Sequence, residues 1–597
     1  NDIKLISDQN KMSTIAKCDR KIRATGDVSS NFVKHLRVKH SELYAEYKSL
    51  KSGSPFGNSA QAAFDRKLLH AIVDGALPVS ILERRSFIDL LQTSGMKIMS
   101  RQAAVKKLKE HYGEVVHKIK SEMASVKHFC TTGDIWSGNH RSFLGYTCHW
   151  LTENLERKSA ALACRRIFGV HSAEKIAQII AEINAGFGLS ASNVIMTVTD
   201  NGSNFVKAFK EYGCTETETS HEDESENDLP VFQNELLLPK HLRCCSHTLN
   251  LLASADYVKI LRSEQALYMQ HSMTFEKCNA LWRKCKWPKS SEIIVECLGS
   301  TLLVPVVTRW NSLFDAVTKL LWAKDKLNPL CERLSLSQFS PSDLQYLEMY
   351  QLLMGPIARA LDYLQGENNV NYGCLIPTLM TLSNRLNKLQ NKPEMQQVSS
   401  VVAKLEQCLR DRFDAFFTLK PEANIALAAT VLTPDIKMSW IKVLQRIKPE
   451  VTAADISTRV LNTICDFYVK DNRAFNAQIL KSNELFANNR HFDFDLNDTD
   501  NEEGTNAIPE PSASDRRAFL THHFFCYLND NSRTDDTWVK HCSLKEAFVA
   551  FNTPLTSSAP VERLFSFAEI VNSPRRQSMS DLSFEKLVLL KANSKWS

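Results

Sequence analysis

The sequence predicts an α+β protein in which a mixed sheet is interrupted by a large all-helical insertion and preceded by smaller helical units. Three observations carry that expectation. Between residues 126 and 168 apolar side chains come in short, partly alternating bursts, the texture of strands joined by tight turns. From Leu249 to about Phe486 they recur at helical intervals almost without interruption, far too long for a connection between strands. Two runs without lysine or arginine, 216–228 and 493–510, carry seven carboxylates each and read as disordered segments too polar to pack. With 597 residues and about 150 per domain, three to five units are expected.

Residues 1–50 read as a small separate unit. It closes with Ser29-Ser-Asn-Phe-Val-Lys-His35-Leu-Arg-Val-Lys-His40, where Phe32 and Leu36 share a helix face and two histidines lie five residues apart. Ser52-Gly-Ser-Pro55 reads as a linker. Residues 56–125 are expected to be a helical unit with exposed basic faces, with Leu68, Leu69, Ile72 and Val73, then Val105, Leu108, Val115, Val116 and Ile119, at three- and four-residue intervals. Strands are expected at His128–Asp134, Phe143–Trp150 and Ala160–Phe168. A helix from Ser172 to about Ala185 follows, and then a buried strand from Asn193 to Thr199 that ends at Asp200. Three strands, a helix, a fourth strand and another helix is the order of an RNase H-like sheet. Residues 126–248 are therefore assigned to the first part of such a core, with a disordered acidic loop at 215–235. The all-helical insertion is assigned to 249–490, an acidic disordered linker to 491–515, and the last part of the sheet core to 516–597.

Apolar residues make up 43% and charged residues 23% of the chain, the proportions of an ordinary folded protein. No stretch approaches the roughly 20 uninterrupted apolar residues of a membrane helix, so no membrane association is expected. The 16 cysteines are scattered without a framework, which suits a reducing compartment better than a secreted disulfide scaffold. The chain opens at Asn1 without a methionine or an apolar leader and reads as part of something longer. Its net charge of +6 averages two populations: with the fourteen carboxylates of the acidic runs set aside, the remainder carries +20. That excess suits a polyanionic partner, because each neutralised phosphate releases condensed counterions. Lysines that merely solvate a surface produce the same excess.

Asp134 ends the first expected strand and Asp200 the fourth. If those strands are neighbours, both carboxylates emerge at one edge, where they repel unless cations intervene. Divalent ions about 3.5 to 4 Å apart resolve the repulsion, one activating an attacking hydroxyl and the other stabilising the leaving oxygen of an in-line phosphoryl displacement. Each residue also has a plainer reading. Asp200-Asn-Gly-Ser suits a helix N-cap, and Asp134 before Ile-Trp-Ser suits an ordinary turn. Glu562, in the first turn of a helix opened by Ser557-Ser-Ala-Pro560, is favoured there by the helix dipole whatever its function.

The surroundings of these residues form a series. Thr131-Thr-Gly-Asp-Ile-Trp136, Arg141-Ser-Phe-Leu-Gly-Tyr-Thr-Cys-His-Trp150, Ser159-Ala-Ala-Leu-Ala-Cys-Arg165 and Thr199-Asp-Asn-Gly-Ser-Asn-Phe205 come first. Leu238-Pro-Lys-His241, Cys244-Cys-Ser-His-Thr-Leu-Asn-Leu251, Thr308-Arg-Trp-Asn311 and Ser558-Ala-Pro-Val-Glu-Arg-Leu-Phe-Ser566 follow. Together they resemble the hAT superfamily of cut-and-paste DNA transposases, in family order from about residue 60 to the C-terminus. The resemblance implies that Asp134, Asp200 and Glu562 are catalytic and hold Mg2+ or Mn2+. It implies that Cys244 and His247 are the family's C-x-x-H element, which helps to organise DNA beside the active site; as a zinc half-site the pair has too few ligands for a structural ion. Trp310, after Arg309, matches the tryptophan that steadies a base turned out of the helix, an aromatic face replacing lost stacking. A core tryptophan of a helical domain is its plainer alternative, and Arg309 suits a phosphate.

The N-terminal unit resembles a BED zinc finger, for which Cys18, His35 and His40 would hold Zn2+. Ile15 stands where the first cysteine of the expected C-x-x-C belongs, leaving three ligands. Lys34 and Arg37, with their basic neighbours, suit the phosphate backbone. Asp581–Leu590 resembles the family's C-terminal dimerisation region and also suits a last core helix, while Ser573-Pro-Arg-Arg576 is a basic turn open to DNA or solvent. The implied function is phosphoryl transfer on double-stranded DNA in the nucleus by a homodimer or higher oligomer. Strands are cut at transposon terminal repeats through a flanking hairpin and joined to target DNA. The rival from another class is a domesticated, DNA-binding transcriptional regulator that keeps the fold without the chemistry. Such relatives commonly lose a carboxylate, and here all three positions are acidic. A nuclease or RNase H proper explains the sheet but not the helical insertion.

Overall fold

The computed structural model of the protein describes residues 12–13, 22–23, 30–41, 44, 58–138, 140–213, 236–306, 311–366, 371–470, 512–534, 536–572 and 579–596. The chain divides into two compact units, residues 1–116 with 594–597, and residues 117–593. The division falls inside one continuous helix, Arg101–Met123, and the change from helix to strand comes between Met123 and Phe129. Both acidic runs lie outside the described residues.

In the first unit Met12–Ser13 pairs antiparallel with Ile22–Arg23. Helices α1 (Ser30–Lys39), α2 (Asn58–Asp74), α3 (Arg85–Gln92) and α4 (Arg101–Met123) follow. Leu68, Leu69, Ile72 and Val73 of α2 and Leu108 and Val115 of α4 are buried, as the helical period requires, whereas Val105 from the same expected stripe is 52% exposed. A polar tie joins the two helices: the carboxylate of Asp65 pairs with Lys107 and accepts from Gln61 Nε2 at 2.8 Å.

The second unit is α+β. Its sheet contains β1 (Phe129–Gly138), β2 (Arg141–Leu151), β3 (Arg157–Ile167), β4 (Val194–Thr199) and β5 (His241–Arg243), in the spatial order β3-β2-β1-β4-β5. The first three form an antiparallel meander, β4 lies parallel to β1, and β5 parallel to β4. Both faces of β2 are buried, so its sequence reads as a nearly continuous apolar run. Helix α5 (Ala173–Phe187) starts on Ser172, whose side chain accepts from Lys175 N, and stops on Gly188 in the left-handed region at φ 71°. It packs on β3 and on α6 (Ser203–Tyr212), whose Phe205 lies over Gly133 of β1.

A helical body follows β5. It opens with α7 (Cys245–Leu251), slightly earlier than the sequence suggested, and includes α8 (Gln265–Lys284), α9 (Pro288–Leu298) and α10 (Pro341–Leu364). One apolar cluster runs through it from Cys245 to Phe551 and takes in Met196 of β4. That cluster includes Leu520, Phe524 and Tyr527 of the helix Ala513–Asn529 and Phe548 and Phe551 of the helix Cys542–Asn552. The body therefore extends past residue 516, where the sheet core was expected to resume. An apolar helical face shows that it is buried, not against what.

The chain rejoins the sheet at Leu555, which packs with Cys130, Val198 and Cys244. Helices α11 (Ala559–Val571) and α12 (Asp581–Ala592) then cover the face opposite α6, with Phe584 against Phe143 at 4.5 Å between ring centroids. Beyond α12, Asn593 accepts from Ala161 N at 2.9 Å and donates to Ala161 O at 2.8 Å, pinning β3 where its pairing with β2 shifts register. No described helix is long and apolar enough to cross a membrane. The 14 described cysteines are free thiols.

Candidate active site

The parallel ladder between β1 and β4 positions two carboxylates. Its last pair is Gly133 with Thr199. The next residue along each is an aspartate, so Asp134 and Asp200 lie side by side and on the same face, at a strand spacing of about 4.8 Å. Asp200 stands just past the end of β4, but Asp134, expected at a strand end, lies midway along β1, which runs on to Gly138 in its ladder with β2. Across the antiparallel ladder Asp134 pairs with Gly145 of β2. A Cβ on Gly145 would stand 2.6 Å from both Val561 Cγ2 and Phe565 Cε1 of α11, so the bare glycine lets that helix settle on the sheet next to Asp134. Glu562 follows Val561 in the first turn of α11.

The electrostatics report the same convergence. Burial raises the Asp134 carboxyl well above the ordinary aspartate range, the charge of Asp200 raises it further, the Ile135 N–H opposes, and Glu562 adds to the rise. Burial pushes Glu562 up to about 7, with Arg563 opposing and Asp200 contributing. Asp134 Oδ1 accepts from Ile135 N at 2.7 Å and Asp200 Oδ1 from Gly202 N at 3.0 Å. Gly202 is itself the N-cap of α6, with no side-chain cap, so Asp200 is not the capping residue that its position after a strand suggested. Among the described residues no three His, Cys, Asp or Glu side chains already stand at metal-holding distance of one another. The carboxylates are thus a set of facing groups and not a preformed cage.

Cys244 and His247 lie where the two halves of the sheet domain meet. Cys244 N donates to Thr199 O at 2.7 Å, next to Asp200. Cys244 Sγ caps α7 by accepting from His247 N at 3.3 Å, accepts from Ser558 N at 3.3 Å, and lies 3.7 Å from Ser557 Oγ. Cys130 of β1 repeats the device, its Sγ accepting from Leu555 N at 3.3 Å, and Cys245 N donates to Thr556 O at 2.9 Å. The segment that launches Glu562 therefore hangs on β1 and α7 through backbone bonds and two buried thiols. Burial raises the Cys244 thiol, which keeps it neutral in that role. His247 is half-buried; burial lowers its pKa, and the charge of Asp200 works the other way.

No family model matches the sequence, and no curated protein matches it.

Of the other expected residues, Arg309 and Trp310 lie outside the described residues, as do Ile15, Cys18 and the turn 573–576. His35 and His40 come together on α1 and just past its end, with ring centroids 5.3 Å apart, and Lys34 and Arg37 are exposed on the same helix. The stretch Asp581–Leu590 is α12, with Phe584, Val588, Leu589 and Leu590 buried and Leu582 exposed. Four contributors escaped the sequence reading as functional residues. Gly145 carried a signal, a glycine in mid-strand, and Cys130 carried none. His241 Nε2 lies 2.8 Å from Thr199 Oγ1, which donates its proton to Asp200 O at 2.9 Å and so accepts from the imidazole; burial and Arg243 lower the His241 pKa to about 4. Trp136 stacks between Phe143 and Phe565, two residues after Asp134.

Proposed function

We propose that the protein is a cut-and-paste DNA transposase of the DDE class, carrying out phosphoryl transfer at Asp134, Asp200 and Glu562 on an RNase H-like core. The observation that carries this reading is the convergence of three carboxylates from β1, β4 and α11 on one side of one sheet, close enough that each of the other two raises the pKa of Asp134. Three antiparallel strands followed by two parallel ones, in the order β3-β2-β1-β4-β5, support the RNase H-like reading. Hard oxygen donors that repel one another suit Mg2+ or Mn2+. When bound there, such ions supply activation of an attacking water or 3′ hydroxyl and neutralise charge at the scissile phosphate.

The side chains of the protein do the rest. Asp134 from within β1 and Asp200 just past the end of β4, each held by a backbone amide, present oxygens from fixed positions on the sheet. Glu562 gives up its proton readily once positive charge is near, because its pKa of about 7 lies close to neutral pH. His247, kept neutral by burial, adds no competing positive charge beside Asp200. The +20 charge outside the acidic runs supports double-stranded DNA as the partner, as transposon ends and as target. Cutting two ends in one complex calls for a homo-oligomer, and the site of action is the nucleus.

Incubation of the chain with a candidate transposon-end duplex and Mg2+ or Mn2+ tests this. Metal-dependent nicking with a hairpin on the flank is expected, reduced at least roughly 1,000-fold in Asp200→Asn. Binding without cleavage by either protein would instead support the DNA-binding regulator.

A further inference from the structure

We propose that the turn between α8 and α9 is a contact for single-stranded DNA, in which Trp287 stacks on unpaired bases and Arg283, Lys284, Lys286 and Lys289 neutralise the adjoining phosphates. Arg283-Lys-Cys-Lys-Trp-Pro-Lys289 holds four cations and no carboxylate in seven residues. Backbone bonds from Lys286 N to Arg283 O at 3.2 Å and from Trp287 N to Lys284 O at 3.1 Å close a tight turn. Pro288 opens α9 and Trp287 is held extended at φ −103° and ψ 128°.

Trp287 is 66% exposed, while Trp282, in the last turns of α8, is 3% exposed in the core of the helical body. The body buries Trp282 and leaves Trp287 outside, as it does Trp322, which is 64% exposed but has a single lysine, Lys319, over its ring. Several cations of the body are paired: Lys277 with Asp343, Lys324 with Glu348, Arg333 with Glu296, Lys404 with Glu264. None of the four cations of the turn forms an ion pair among the described residues. A large aromatic face set among unneutralised cations matches the chemistry of an unpaired nucleic-acid strand, whose bases offer π-faces and whose backbone offers phosphates. Paired bases of an intact duplex are already stacked and offer the indole no face. This deepens the proposed function, on which it rests for the identity of the strand, by adding a single-stranded stretch beside a cut to the substrate.

Fluorescence anisotropy of the full chain in EDTA, with a labelled single strand of about 20 nucleotides and with the same sequence as a blunt duplex, tests the contact. Trp287→Ala is expected to weaken single-strand binding by roughly 5- to 100-fold while changing duplex binding less than about 2-fold, and Trp287→Phe to restore most of it. The triple change Arg283→Gln, Lys286→Gln and Lys289→Gln is expected to lower the log–log salt slope for the single strand by about 2. Circular dichroism and the thermal midpoint should be unchanged, since the altered side chains are exposed. Wild-type affinity and slope in both variants would overturn the contact, and with metal-dependent cleavage intact would leave the transposase reading standing. Weakened single-strand binding in a chain that cleaves no end duplex would keep the contact and remove that reading.

Discussion

Glu562 binds its proton more tightly in the folded chain, at about 7, than its ordinary value of 4.5 allows once unfolded. Protonation therefore favours the folded state. The contribution of this residue is fully present below about 4.5, declines as the pH rises toward about 7, and is flat above, a change on the order of 2 to 3 kcal/mol. Thermal melts in EDTA are expected to show wild type losing stability across that window relative to Glu562→Gln, with Mg2+ restoring more at high pH than at low. Superimposable pH profiles would contradict the burial of this carboxyl beside Asp200. At Cys244, alanine removes the acceptor of the His247 and Ser558 amides, so a loss of about 1 to 3 kcal/mol is expected in denaturant unfolding. Because the damage falls on the launch of α11, the cleavage rate should fall further than DNA affinity, and Cys244→Ser should recover part of both. Asp134 and Asp200 were legible as carboxylates on two strands from their own neighbours, although only Asp200 stands at a strand end. Glu562 gained meaning only from the resemblance, and Cys130 was invisible, since its role arises from a segment more than 400 residues later reaching its sulfur.

Strands β1 to β4 and helix α5 were readable because apolar bursts, a serine cap and a terminal glycine all pointed the same way. The three-residue β5 has no period to detect, and the helices Ala513–Asn529 and Cys542–Asn552 were given to the sheet because periodicity does not name a partner. The approach of α11 to β2 belongs to this scale as well, and it was not legible beyond the presence of a mid-strand glycine. Gly145→Val forces a side chain into Val561 and Phe565, for which overpacking of about 1 to 3 kcal/mol is expected in urea unfolding. Displacement of Glu562 along with the helix should lower cleavage by more than the lost folded fraction explains. A variant as active as wild type would show that α11 need not sit this close.

On the scale of the whole molecule, the chain leaves the sheet after β5, builds a helical body with a continuous core, and returns only at Leu555 to deliver α11. The sheet alone holds two of the three carboxylates, so the body acts as the spacer across which the third must be brought back. The acidic runs concentrate negative charge and leave the remainder strongly basic, a division readable from the sequence without any fold. What joins these scales is the proposed sharing of cations by Asp134, Asp200 and Glu562. Electron paramagnetic resonance of Mn2+ titrated into the full chain measures that sharing directly. Asp134→Asn, Asp200→Asn and Glu562→Gln are each expected to weaken Mn2+ binding at least roughly 10-fold. Undiminished binding in Glu562→Gln, with the aspartate variants impaired, would detach the glutamate from the site and contradict a three-carboxylate centre.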